Sequence, residues 1–128
     1  MATETAGRIL VVDDDPYFLR VLSRILTGES FRVKTADGAA QAAQALRDDS
    51  FDVVVSDLRL PDGDGLTILQ ELRKTGADTP VVIMTAYGEV DSYLAAMNAG
   101  ATEYLSKPVK TEELIEVIRR CVSSRATP

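Results

Sequence analysis

Ile9-Leu10-Val11-Val12-Asp13-Asp14-Asp15 is the stretch on which the fold turns. Four aliphatic residues, three of them β-branched, run without a break into three carboxylates. An apolar side chain at every position, rather than at alternate ones, fits a strand covered on both faces, the normal state of a strand in a parallel sheet. Val53-Val54-Val55 and Val81-Val82-Ile83-Met84 repeat the pattern. Strands are therefore expected at residues 8–12, 32–36, 53–56, 81–85 and 103–106, each bounded by turn-forming residues.

Helical spacing fills the intervals. Phe18, Leu19, Val21, Leu22, Ile25 and Leu26 recur on one helix face, with Asp15 placed as N-cap and Pro16 at the first helical position. Leu114, Ile115, Val117, Ile118, Cys121 and Val122 do the same near the C-terminus, where Glu112 and Glu113 suit the positive end of the helix dipole. Further helices are expected around residues 39–47, 66–74 and 90–98. Five βα units with right-handed crossovers make an open doubly wound sheet or part of a barrel, and a complete barrel needs about 250 residues. With 128 residues, the expectation is a flavodoxin-like (βα)5 parallel sheet of strand order 2-1-3-4-5, with its crevice beyond the carboxyl ends of the strands. One domain is expected over residues 8–124, with residues 1–7 a flexible N-terminus and 125–128 a tail or the start of a linker.

Composition narrows the chemistry. Apolar residues make up 45% and charged residues 27% of the chain, as in a globular protein. A net charge of −6 opposes nucleic-acid binding, and there is neither a membrane-spanning apolar run nor a signal segment, so a cytoplasmic domain is expected. The absence of histidine excludes Ser/His and Cys/His hydrolases and most zinc sites, which leaves carboxylates, hydroxyls and lysine. Cys121, the single cysteine, sits at core spacing and carries no chemistry here.

Parallel strands all point their carboxyl ends the same way. Asp13-Asp14-Asp15 follows the first strand, Asp57 the third, Thr85 ends the fourth, and Lys107-Pro108 follows the fifth, so these residues are expected at one edge. Carboxylates from Asp13, Asp14 and Asp57 within a few ångströms of one another repel unless a cation intervenes, and Mg2+ suits hard oxygen ligands with positions left for a phosphate. Lys107 adds a positive charge and Thr85 a hydroxyl, which completes a cradle for a phosphoryl group on a carboxylate. Without histidine in the chain, the phosphoryl donor must be external.

The first run, Ser56-Asp57-Leu58-Arg59-Leu60-Pro61-Asp62-Gly63, Met84-Thr85-Ala86, and Gly100-Ala101-Thr102-Glu103-Tyr104-Leu105-Ser106-Lys107-Pro108 occur in order, and from residue 8 to about 122 the chain resembles the receiver domain of two-component response regulators. The resemblance implies a signalling switch rather than an enzyme, catalysing only its own phosphotransfer and slow autodephosphorylation. It implies that Asp57 accepts the phosphoryl group from a sensor histidine kinase or phosphotransfer protein. Asp14 would ligate Mg2+ directly, Asp13 through water, and the Arg59 backbone carbonyl would add a ligand. Thr85 and Lys107 would contact the phosphoryl oxygens, Tyr104 would be the rotating aromatic of the switch, and the Lys107–Pro108 bond would be cis. A homodimer or effector contact is expected through residues 90–98, the fifth strand and the last helix. Arg59 and Tyr87, both bulky, are expected to crowd an attacking water and lengthen the phosphoryl lifetime.

Plainer readings compete. Asp15 is better explained as a helix cap than as a ligand. Tyr104 has the alternative of simple packing. Residues 60–71 imitate a calcium loop through Asp62, Asp64, Gly65 and Glu71, but Leu60 stands at the first ligand position and no helix precedes it. A phosphohydrolase with an Asp nucleophile usually carries a second acid two residues on, where this chain has Arg59. A flavodoxin-like cofactor site needs glycines and hydroxyls in a first loop that here is acidic. A degenerate receiver acting only as an interaction module is disfavoured by the complete set of acids, Thr85 and Lys107.

Overall fold

The structure, a computed structural model, describes residues 6–86 and 90–126. Tyr87, residues 1–5 of the expected N-terminal segment and residues 127–128 of the expected tail therefore lie outside the described residues. The elements run β1 (Gly7–Val12), α1 (Pro16–Gly28), β2 (Phe31–Ala36), α2 (Ala39–Asp48), β3 (Val53–Asp57), β4 (Arg59–Leu60), β5 (Gly63–Asp64), α3 (Gly65–Lys74), β6 (Val81–Thr85), α4 (Val90–Asn98), β7 (Glu103–Ser106) and α5 (Thr111–Ala126). The five long strands form one parallel sheet in the order β2-β1-β3-β6-β7. Leaving aside the two-residue strands β4 and β5, which pair antiparallel as a separate hairpin, this is the expected 2-1-3-4-5 order.

The pleat explains why three strands are apolar throughout. Ile9, Val11, Val53, Val55, Val82 and Met84 point to one face, where they pack with Leu19, Leu22 and Leu26 of α1 and Leu114, Val117, Ile118 and Cys121 of α5. Leu10, Val12, Val54, Val81 and Ile83 point to the other, against α2, α3 and Ala96 of α4. All eleven of these strand residues are fully buried. Each strand residue thus loses its water to one helical layer or the other, and a one-residue slip in register would exchange the layers.

The helix ends are set locally. Asp15 caps α1 as expected, its Oδ1 accepting from the N–H groups of Tyr17 at 3.0 Å and Phe18 at 3.4 Å, with Pro16 beginning the helix. Asp64 caps α3 through the Thr67 N–H at 2.7 Å. The β4–β5 hairpin was not expected from the sequence, where Leu60-Pro61-Asp62-Gly63 reads as a turn leading into a helix. No helix among the described residues is long and apolar enough to cross a membrane.

Candidate phosphoacceptor and metal site

At the carboxyl edge of the sheet, register does the assembly. Val12 is level with Ser56, Asp57 with Met84, and Thr85 with Ser106, so the residues that follow β1, end β3, end β6 and follow β7 emerge at one height. The backbone keeps this edge tight: Asp13 N–H bonds to the Ala36 carbonyl at 3.1 Å, Leu58 N–H to Met84 at 2.8 Å, and Lys107 N–H to Thr85 at 2.8 Å.

Carboxylate oxygens of Asp13, Asp14 and Asp57 all lie within 4.8 Å of one another. Asp13 and Asp57 are 1% and 9% exposed, while Asp14 faces solvent. Lys107 reaches in from the end of β7, its Nζ donating to Asp13 Oδ2 at 2.8 Å and to Asp57 Oδ2 at 3.0 Å, and resting 5.1 Å from the centre of the Phe18 ring. Burial pulls against the charge of this ammonium, but the hydrogen bonds and charges of Asp13 and Asp57 outweigh it and hold the Lys107 pKa above its ordinary value. Asp13 Oδ1 accepts from the Asp15 N–H at 2.9 Å, and Asp57 Oδ1 faces the Arg59 N–H at 3.4 Å.

Two like charges about 5 Å apart repel by roughly 3–4 kcal/mol at an effective dielectric near 20. One ammonium against three carboxylates leaves the cluster net negative. The donor set is all oxygen and one member is open to water, which fits a hard divalent ion that keeps part of its hydration shell.

Thr85 is fully buried at the end of β6, one residue beyond the register partner of Asp57. Arg59 is exposed at the start of the hairpin. Tyr104 stands apart from the acids on β7, half-buried, with its hydroxyl 2.7 Å from Ser92 Oγ on α4 and its ring edge-on to Tyr93 at 5.4 Å. The Lys107–Pro108 bond is cis.

Close approach fixes the floor of the site. A Cβ on Gly65, the first residue of α3, would stand 2.6 Å from the Asp57 carbonyl oxygen and 3.0 Å from Ser56 Oγ, so only glycine lets the helix start this near the acceptor strand. The calcium-like acids have other work. Asp64 is the α3 cap, and Asp62, whose role the sequence does not reveal, accepts from the N–H groups of Ala39 at 2.7 Å and Ala40 at 3.0 Å at the start of α2. Those two backbone donors hold the Asp62 carboxyl below the usual carboxylate range. Nothing within residues 57–65 signals this partner, because it lies 22–23 residues upstream.

Residues 9–119 match the family model described as the response regulator receiver domain. The chain is 37% identical over 112 residues to the transcriptional regulatory protein GlrR of Escherichia coli, covering 88% of this chain and 25% of that protein. The chain spans about a quarter of the length of this and other curated transcriptional regulators it matches. A CheY-like receiver domain from Methanospirillum hungatei superposes with a TM-score of 0.89 at 29% identity, over 93% of this chain and 95% of the other. The beryllofluoride-activated NtrC4 receiver domain dimer superposes with a TM-score of 0.85 at 32% identity, over 91% and 97% of the two chains.

Proposed function

The chain belongs to the response regulator receiver domain family, and from that premise we propose that it is a phosphorylation-operated switch whose acceptor is the Asp57 carboxylate. The observation that carries this reading is Lys107 Nζ held between Asp13 and Asp57, at the point where the ends of β1, β3 and β7 meet. In the transfer, an Asp57 carboxylate oxygen forms a bond to phosphorus as the bond from phosphorus to the donor's leaving atom breaks, and the leaving atom keeps the electron pair. The donor is a phosphohistidine of a kinase or phosphotransfer protein, or a small acyl phosphate.

Asp13, Asp14, Asp57 and the Arg59 carbonyl would hold Mg2+, which when bound neutralises charge on the phosphoryl oxygens. Lys107 and the Thr85 hydroxyl then take positions on those oxygens. Lys107 exchanges its carboxylate partner for the phosphoryl group, and Thr85 gains an acceptor. Tyr104 leaves Ser92, and the surface formed by α4, β7 and α5 changes shape. Val90, Tyr93, Leu94 and Met97 already expose apolar area there, which suits a homodimer or an effector contact. Within a cytoplasmic regulator, that surface would pass the signal to an output domain or a transcriptional partner.

The test is phosphoryl incorporation from acetyl phosphate, followed by intact mass. Wild type should gain one phosphoryl group in Mg2+ and almost none in EDTA, and Asp57→Asn should gain none in either. Equal incorporation by Asp57→Asn would overturn the assignment. The same preparation should show negligible turnover of phosphate esters, which separates the switch from a phosphohydrolase.

A further inference from the structure

Gly38 stands at the N-cap of α2 without a side chain to cap it, and the helix takes its cap from another loop. Asp62, at the tip of the β4–β5 hairpin, supplies both carboxylate oxygens, one to the Ala39 N–H at 2.7 Å and one to the Ala40 N–H at 3.0 Å. The fit is close on both sides. A Cβ on Gly38 would sit 2.6 Å from Asp62 Oδ1, although φ there is −172°, an extended conformation open to any residue. A Cβ on Gly63 would sit 2.9 Å from the Ala39 Cβ.

The hairpin so anchored is the one that leaves Asp57. It is held at its base by Leu58 N–H on the Met84 carbonyl and by Gly65 N–H on the Leu58 carbonyl, and it carries Arg59, whose N–H faces Asp57 Oδ1. Base bonds fix where the hairpin starts but leave its tip free to swing, and Asp62 is the tip's bond to a second element. Asp62, Pro61 and Gly38 share one cleft of about 400 Å3 with Asp14 and Asp37. The wall that Asp62 holds is therefore a wall of the space beside the acidic cluster.

Resting on the proposed phosphoacceptor site, we infer that Asp62 is a positioning residue, which pins the β4–β5 hairpin to the N-terminus of α2 and so fixes the Arg59 backbone against Asp57. Its effect on phosphotransfer passes through the loop and not through contact with the phosphoryl group.

The test compares Asp62→Ala with Gly38→Ala, which breaks the same tether from the other side, and with Asp62→Asn, which keeps one carbonyl acceptor. Three quantities are read: amide hydrogen exchange of residues 57–65 by backbone NMR, Mg2+ affinity by titration with the metal alone, and the rate of phosphorylation by acetyl phosphate. Asp62→Ala and Gly38→Ala should each raise hairpin exchange about tenfold, the scale of a lost charge-assisted hydrogen bond at the surface. Both should weaken Mg2+ binding and slow phosphorylation several-fold, with the double variant little worse than either and Asp62→Asn in between. Variants that lose stability but keep wild-type exchange in residues 57–65, or wild-type metal affinity and rate, would make Asp62 a helix cap alone and overturn the inference. Failure of the underlying site reading shows in the wild type, as no uptake of Mg2+ or phosphoryl group, whereas failure of the tether shows only in the variants.

Discussion

Removing the Lys107 ammonium takes away the positive charge that pairs with two buried carboxylates, Asp13 and Asp57. Lys107→Met should accordingly lower stability by about 1–3 kcal/mol in EDTA, the cost of an unsatisfied buried charge. Mg2+ should restore more stability to this variant than to wild type, because the cation replaces the missing charge; urea denaturation with and without Mg2+ measures both. The pH dependence has a definite sign. Lys107 has a folded-state pKa above its unfolded value of 10.5, so its contribution is complete below 10.5 and fades as pH climbs through the folded value. Asp62 runs the other way, its tether being complete above the ordinary Asp value of 3.8 and lost on acidification through its lower folded value. At this scale Asp13, Asp14, Asp57, Thr85 and Lys107 were legible because each sits at a strand's carboxyl end, where the topology itself brings residues together. Asp62 was not, since a carboxylate in a polar turn looks the same whether it faces water or two backbone donors.

Among the elements, α3 and α1 give opposite expectations for the same substitution. Gly65→Ala forces the start of α3 away from the Asp57 carbonyl and should cost about 1–3 kcal/mol by overpacking. Gly28→Ala, at the last residue of α1 with nothing within 4 Å of the added methyl, should be neutral or stabilise by about 0.5–1 kcal/mol. Chemical denaturation of the two variants decides between crowding and chain entropy as the reason for each glycine. Helices α1 and α5 were readable from apolar spacing because most of that spacing faces the sheet, although Val21 of α1 is exposed. In α4 the same spacing misleads: Val90, Tyr93, Leu94 and Met97 fall on one stripe, yet that stripe is exposed and Ala96 is the helix's buried contact. Periodicity reports a face that prefers to leave water and does not say what covers it. The β4–β5 hairpin escaped the sequence because two-residue strands have no period to detect.

For the molecule as a whole, the strand order followed from three physical constraints: continuous apolar strands, right-handed crossovers and a chain too short for a barrel. The observed β2-β1-β3-β6-β7 order satisfies all three. It also gathers the acids and Lys107 at the carboxyl edge, while Arg8 and Lys34 share Asp49 in a separate surface ion-pair group. By this convergence Asp57, and none of the other acids beside it, is proposed to supply the carboxylate oxygen that bonds to phosphorus. Borohydride reduction of protein treated with acetyl phosphate and Mg2+ converts an aspartyl phosphate to homoserine, which peptide mass spectrometry then locates. Homoserine at position 57 alone is the predicted result; homoserine at position 13, 14 or 62, or none at all, would rule out Asp57 as the sole acceptor.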